Sequence, residues 1–136
     1  MRVFKKRISV IMPAYNEGHH IYENIRETIS VFSRAKREFE IVVVDDGSAD
    51  DTTAEARRAA LEFGRVIPVR VSENRGKGNA LREGFKHATG DFVIFLDADL
   101  DLHPAQVRSL FRAMRDTGSD IMIGSKHHPA SRLNYP

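Results

Sequence analysis

Short apolar runs alternate along the chain with apolar residues at helical spacing. Ile8-Ser9-Val10-Ile11-Met12 reads as a strand. Ile21, Ile25, Ile29 and Phe32 recur on one helical face and predict a helix over residues 18–36. Ile41-Val42-Val43-Val44 is β-branched and unbroken, the pattern of a strand buried on both faces. Asp50 is placed to cap a second helix that carries Ala56, Ala60 and Phe63 on one side and stops at Gly64. Residues 66–71 predict a third strand. Leu81, Gly84, Phe85 and Ala88 mark a third helix ended by Gly90, and Phe92-Val93-Ile94-Phe95-Leu96 a fourth strand. Pro104 suits the first turn of a fourth helix with Val107, Leu110, Phe111 and Met114 inward, and Ile121-Met122-Ile123 predicts a fifth strand. Strict β-α alternation with continuous apolar strands implies an α/β fold of three layers, a mainly parallel sheet with helices on both faces.

The 136 residues are the size of one ordinary domain, and 41% hydrophobic content suffices for one core. No apolar run approaches the roughly 20 residues of a membrane span. The basic segment 1–7 precedes an apolar run that Pro13 breaks too early for a signal peptide, so a cytoplasmic start is expected. That segment also suits contact with an anionic membrane surface. With no cysteine, disulfides and thiolate metal sites are excluded. The net charge of +2, the scattered Lys and Arg and the lack of Trp argue against nucleic acid as a partner.

In a parallel sheet the ligand lies at the carboxyl ends of the strands. Pro13-Ala14-Tyr15-Asn16-Glu17, Asp45-Asp46-Gly47-Ser48, Asp97-Ala98-Asp99-Leu100-Asp101 and Gly124-Ser125-Lys126 all follow predicted strands. Asp97, Asp99 and Asp101 are spaced by two and point to one side while the chain stays extended, where a hard cation such as Mg²⁺ or Mn²⁺ would relieve their repulsion. Of Asp45 and Asp46, one carboxylate can accept from a nucleobase edge while the other serves the turn at Gly47. Asn74-Arg75-Gly76-Lys77-Gly78-Asn79 opens the third helix, with glycines for close approach and two cations for a diphosphate. It is neither a G-x-G-x-x-G fingerprint nor a P-loop. His127-His128 is read as a polar loop pair and His19-His20 as polar residues beginning a helix, since adjacent side chains point apart.

Taken in order, P-A-Y-N-E, V-V-D-D-G-S-A-D-D-T, N-R-G-K-G-N-A-L-R-E-G, F-L-D-A-D-L-D and I-G-S-K resemble the family 2 glycosyltransferases of GT-A fold. The likeness is greatest to the polyprenyl (dolichyl) phosphate mannosyl- and glucosyltransferases, and it runs from about residue 7 to residue 136. It implies a Rossmann-like nucleotide-binding half and transfer of mannose or glucose, with inversion, from GDP-mannose or UDP-glucose to a polyprenyl phosphate at the cytoplasmic face of the membrane. It places Pro13, Tyr15 and Glu17 against the nucleoside, Val44 and Asp46 at the base, and Arg75 and Lys77 near the ribose or diphosphate. Asp97 would support the nucleotide and metal and Ala98 the nucleotide, and Asp99 and Asp101 would ligate the metal. Asp101 stands where dolichyl-phosphate mannosyltransferases often have Gln, and Lys126 where Arg is common. Asp97, Asp99 and Lys126 form the implied catalytic set.

A polyprenyl phosphate is already ionised and needs no protein base, whereas a sugar hydroxyl acceptor would need one. A non-catalytic nucleotide-sugar-binding module would use the same residues. A signalling receiver domain is disfavoured, because there the acidic pair follows strand 1 and here it follows strand 2. Family members are longer, so residues 1–136 are expected to be the N-terminal part of such a domain, able to bind donor but poor at transfer.

Overall fold

A computed structural model describes residues 6–125 and 127–130. The chain divides into two compact units, Met1–Pro104 and Ala105–Pro136. The first unit contains β1 (Ile8–Ala14), α1 (Ile21–Arg34), β2 (Phe39–Asp46), α2 (Thr52–Phe63), β3 (Val66–Val71), α3 (Lys77–Phe85) and β4 (Phe92–Phe95). All pairings are parallel, in the order β3-β2-β1-β4.

β1 and β2 lie inside the sheet and carry the core. Every residue of β2 is buried. Alternation divides its side chains between two faces. Val42 and Val44 join Ile11 and Ala80 in one cluster, with Leu81, Val69 and Val93 packed against it. On the opposite face Phe39 stacks on Phe32 of α1, ring centroids 5.5 Å apart. α1 and α2 lie together, fastened by Tyr22, whose hydroxyl donates to Glu62 at 2.5 Å while Arg58 covers its ring. The expected three layers are therefore present. α3 approaches closely because Gly84 has no side chain, since a Cβ there would lie 2.5 Å from Ile11 Cγ2 and 2.9 Å from Val44 Cγ2.

Several local expectations shift. β2 extends through Asp45 and Asp46, which pair with Ala14, Arg70 and Val71, so both acids belong to the strand itself. The buried stripe of α2 is Thr52, Ala56 and Ala59 instead of one through Ala60 and Phe63. Phe85 is exposed, because Ala80 and Gly84 face the sheet and the next residue turns about 100° away. β3 and β4 are edges, and β3 carries Pro68, whose missing N–H an edge strand tolerates.

A 3₁₀ turn at Pro104–Gln106 leads into α4 (Val107–Thr117) of the second unit, closed by Gly118 in the left-handed region. Val107 is buried, and Leu110, Phe111 and Met114 are partly so. The fifth strand expected at 121–123 is not formed. Ile121 and Ile123 are 78% and 79% exposed, because β-branched residues make a strand only where a partner ladder accepts them.

At the amino end of the sheet the carboxylate of Glu40 is buried in a polar knot. It accepts from Ser9 Oγ (2.7 Å), Thr89 N (2.7 Å), Thr89 Oγ1 (2.9 Å) and an Arg7 guanidinium N–H (2.7 Å). Burial alone would push its pKa up, but the hydrogen bonds from Ser9, Thr89 and Arg7 outweigh that and hold it below the ordinary 4.5. Glu40→Ala removes the acceptor of the Ser9 and Thr89 hydroxyls and of Arg7, leaves the Thr89 N–H with only Ser9 Oγ at 3.1 Å, and is expected to cost about 2–3 kcal/mol in denaturant melts. Because the folded pKa is lowered, the carboxylate's contribution is complete above the unfolded value and lost as pH falls through the folded one. The wild type should therefore lose stability below about pH 4.5 more steeply than Glu40→Gln. Parallel pH dependence of the two melts would remove Glu40 from this role.

Candidate nucleotide-sugar site

The chain steps from β1 to β2 to β3 in one direction and then returns to place β4 on the other side of β1. The β1–β4 boundary is thus the point where the topology reverses, and open α/β sheets bind ligands in the crevice there, beyond the carboxyl ends. The loops after β1 and β4 flank this boundary. The loop after β2 and the start of α3 lie at the same edge.

Side-chain oxygens lace these loops together. Ser48 Oγ accepts the Asn16 N–H (2.9 Å), Thr52 Oγ1 the Glu17 N–H (2.9 Å) and Asp50 Oδ2 the Gly18 N–H (2.9 Å). In the other direction Asn16 Oδ1 accepts the Ala49 N–H at 3.0 Å. Asn16 reaches this position with φ 53°, a conformation its short polar side chain tolerates. The cap position of α2 falls on Asp51, yet Asp50 is the residue that accepts the Thr52 N–H, at 3.0 Å. The hydroxyl of Thr52 and the Gly18 N–H hold the Asp50 carboxyl below its ordinary pKa.

Asp45 and Asp46 have separate tasks. Asp45 accepts the Ser48 N–H (2.9 Å), the Thr53 hydroxyl and an Arg70 guanidinium N–H (2.8 Å). Asp46 reaches the next loop, where Oδ1 accepts the Arg75 N–H (3.0 Å) and Oδ2 the Gly76 N–H (2.9 Å). Gly47, at φ 72°, packs so tightly on this loop that a Cβ would lie 2.6 Å from Asn74 N. Gly76, at φ 90°, then turns the chain into α3.

Beyond β4 the chain does not stay extended. Leu100 N donates to Asp97 O at 3.0 Å, and Leu100 takes φ 54°. The assumption that Asp97, Asp99 and Asp101 share one side therefore fails, because the 97–100 segment is a turn. Among the described residues no three His, Cys, Asp or Glu side chains converge as a metal cage. Asp97 instead pairs with Lys77 Nζ at 2.5 Å, and Asp99 is exposed, accepting the Asp101 N–H at 2.9 Å.

Residues 9–132 match the family described as glycosyl transferase family 2. The chain belongs to glycosyl transferase family 2. It is 38% identical over 118 residues to an undecaprenyl-phosphate 4-deoxy-4-formamido-L-arabinose transferase of Klebsiella pneumoniae, covering 86% of this chain and 36% of that protein. The corresponding transferase of Edwardsiella ictaluri is 40% identical over 116 residues, covering 85% and 35%. The family 2 chain thus spans about a third of the length of the curated relatives it matches. Among solved structures, a mannosyltransferase of Pyrobaculum calidifontis in complex with GDP-mannose and Mn²⁺ superposes with TM-score 0.69 at 33% identity, covering 82% of this chain and 33% of that one. Glucosyl-3-phosphoglycerate synthase of Mycobacterium tuberculosis, in complex with Mn²⁺, UDP and its product, gives TM-score 0.63 at 32% identity, covering 80% and 39%. The fold is GT-A.

The family 2 edge gathers most of the residues expected from sequence. Tyr15 is half-exposed, Pro13 and Glu17 are partly exposed, and Arg75, Lys77, Asp97 and Asp99 are open to solvent to varying degrees. Ala98 is buried within the turn. Val44 departs from expectation. It is fully buried with its side chain toward Gly84, so it offers no surface to a base and supports the edge from behind. Arg75 is folded back on Glu73, 2.8 Å from its carboxylate. His128 accepts from Ala130 N at 3.1 Å within its own loop. Lys126 lies outside the described residues.

Sequence reasoning missed Asn16, Ser48, Asp50 and Thr52 as a group. The available signal was the density of short polar side chains around D-D-G-S-A-D-D-T, which tend to bond to nearby backbone. The lacing predicts graded losses of stability. Asp45→Ala removes the acceptor for Ser48, Thr53 and Arg70 and should cost about 2–3 kcal/mol. Asp46→Ala frees two N–H groups on an exposed loop that water can reach and should cost about 1–2 kcal/mol. Equilibrium urea melts give the order, and a larger loss for Asp46→Ala would reverse the assignment of the two acids.

Proposed function

We propose that this domain binds a nucleoside-diphosphate sugar with Mg²⁺ or Mn²⁺ in the β1–β4 crevice, and that the whole protein transfers the sugar to a polyprenyl phosphate. The observation that carries the reading is the 97–99 turn at the reversal point, with Asp99 exposed on it and Lys77 and the amino end of α3 beside it. That helix end presents backbone N–H groups and a partial positive charge to a diphosphate, and Lys77 and Arg75 add full charges. Asp46 fixes the same loop by accepting the Arg75 and Gly76 N–H groups, and a carboxylate keeps lone pairs beyond those two bonds with which to accept from a base.

The residues fit a metal that is incompletely caged by protein. Mg²⁺ is usually held by one or two carboxylates with phosphate oxygens and water completing its shell. Asp99, with Asp101 beside it, supplies such a partial set. When bound, the ion neutralises the charge that develops on the departing diphosphate. Asp97, held by Lys77, orients the turn. A phosphate acceptor is ionised at neutral pH, so no general base is required of this chain. The complexes with Mn²⁺ and with GDP-mannose or UDP seen in its structural neighbours support donor and metal, and the curated relatives support the acceptor.

The donor sugar is the finer question. A hexose follows from the likeness to mannosyl- and glucosyltransferases, and the curated relatives point to a 4-formamido-arabinose. No described helix is long and apolar enough to cross a membrane. Of the basic N-terminal segment, Arg7 is committed to Glu40 and Lys6 lies over the Phe92 ring at 5.3 Å, while residues 1–5 lie outside the described part. The proposed approach to lipid therefore does not draw on Arg7.

Calorimetric titration with UDP, GDP and their mannose, glucose and formamido-arabinose conjugates, with and without Mn²⁺, tests the reading. Nucleotide should bind more tightly with the metal. Asp99→Asn should weaken the metal-dependent part by at least about tenfold, as loss of even a supporting group does at metal sites. Equal affinity for wild type and Asp99→Asn in Mn²⁺ would remove the metal assignment.

A further inference from the structure

The 97–100 turn is short, and its own hydrogen bonds are local. Besides the exposed Lys77–Asp97 pair, a backbone-directed bond ties it to a distant element. Asn24, on α1, donates its side-chain N–H to the Ala98 carbonyl at 2.7 Å, across 74 residues of sequence. The reverse amide orientation would set two oxygens against each other, so the geometry fixes Asn24 as the donor. α1 is itself a firm support, since Ile21, Ile25 and Thr28 on the same helix are fully buried. The bond thus spans the crevice wall, from the helix that follows β1 to the turn that follows β4. Ala98 stands between Asp97, which pairs with Lys77, and Asp99, which is exposed.

We propose that Asn24 is a positioning residue for the metal-binding turn: by holding the Ala98 carbonyl, it fixes the direction in which Asp99 presents its carboxylate to a metal–diphosphate ligand. The inference rests on the proposed function above. The physical argument is one of preorganisation. Asp99 is exposed and its turn contains a left-handed non-glycine residue, Leu100, a conformation disfavoured for such a residue, so a turn left to itself would have other orientations open to it. A bond from a rigid helix to the peptide beside Asp99 removes most of them before the ligand arrives, and supporting groups of this kind typically alter metal affinity about 10–100-fold. Asn24 need not touch metal, nucleotide or sugar to do so.

The test uses Asn24→Ala and Asn24→Asp, with Thr28→Val as a control. The Thr28 hydroxyl donates to the Asn24 backbone carbonyl at 2.8 Å, so its loss perturbs the same helix without touching the turn. In the metal-free chain, amide hydrogen exchange at Leu100 and Asp101 should quicken in both Asn24 variants and stay unchanged in Thr28→Val. In calorimetry with UDP or GDP, both Asn24 variants should lose about tenfold in the affinity gained from Mn²⁺, and keep the metal-free nucleotide affinity. Thr28→Val should lower the melting temperature and leave the Mn²⁺-dependent gain intact. If the wild type shows the gain and the Asn24 variants retain it, or lose metal-free affinity equally, the positioning role is overturned and the proposed function stands. If exchange at the turn quickens in the Asn24 variants but the wild type shows no Mn²⁺-dependent gain, the tether is real, the proposed function fails and the positioning role falls with it.

Discussion

The carboxyl edge of this sheet depends on side-chain oxygens that accept backbone N–H groups its loops cannot pair among themselves. A parallel sheet delivers its strand ends to one edge, and the chain beyond each end leaves the ladder with its donors unmet. Those donors need partners when the loops pack together. Ser48, Thr52 and Asp50 take them from the loop after β1, and Asn16 returns the favour to the loop after β2. Asp46 takes two from the loop before α3. Each acceptor has a short arm, so each bond fixes the distance between two loops. The D-D-G-S-A-D-D-T segment is therefore a scaffold first, and whatever chemistry the edge performs is built on its geometry.

The same physical distinction separates what the sequence makes legible from what it hides. β1, β2 and α1 are written in consecutive or periodic apolar residues, because burial on two faces or on one stripe demands that pattern. The end of β2 is not, since Asp45 and Asp46 stay in the strand only because Ala14, Arg70 and Val71 offer pairing partners. Ile121 and Ile123 show the converse, strong strand propensity without a ladder. Phe85 is exposed although apolar, since apolar character alone does not say which of two neighbouring residues faces the sheet. The missing Cβ of Gly84, pressed against Ile11 and Val44, decides it. At the site, residue types were legible and orientations were not. The regular spacing of Asp97, Asp99 and Asp101 suggested one carboxylate face, and a single left-handed residue, Leu100, undoes it. Asn24 left no signal at all, because an asparagine within a helix is ordinary until the turn it holds is seen.

The edge is also uneven in how firmly its charges are held. Asp45 is 2% exposed, and its ion pair with Arg70 is reinforced by Ser48 and Thr53. Removing Arg70, itself 39% exposed, would leave the buried Asp45 carboxylate without its cation, so this pair is costly to break from the Asp45 side. Lys77 with Asp97 and Arg75 with Glu73 are different, since all four side chains are about half or more exposed. Such pairs are worth roughly 0–1 kcal/mol and are screened by salt. If the domain binds a nucleoside diphosphate as proposed, the diphosphate can replace Asp97 or Glu73 as the partner of these cations at little cost. The β2 side of the crevice is rigid before a ligand arrives, whereas the α3 and β4 side holds its charges in weak pairs that exchange. That division suits a ligand with a flat, neutral end to be recognised by shape and a highly charged end to be neutralised, because the first needs fixed geometry and the second needs charges free to change partners.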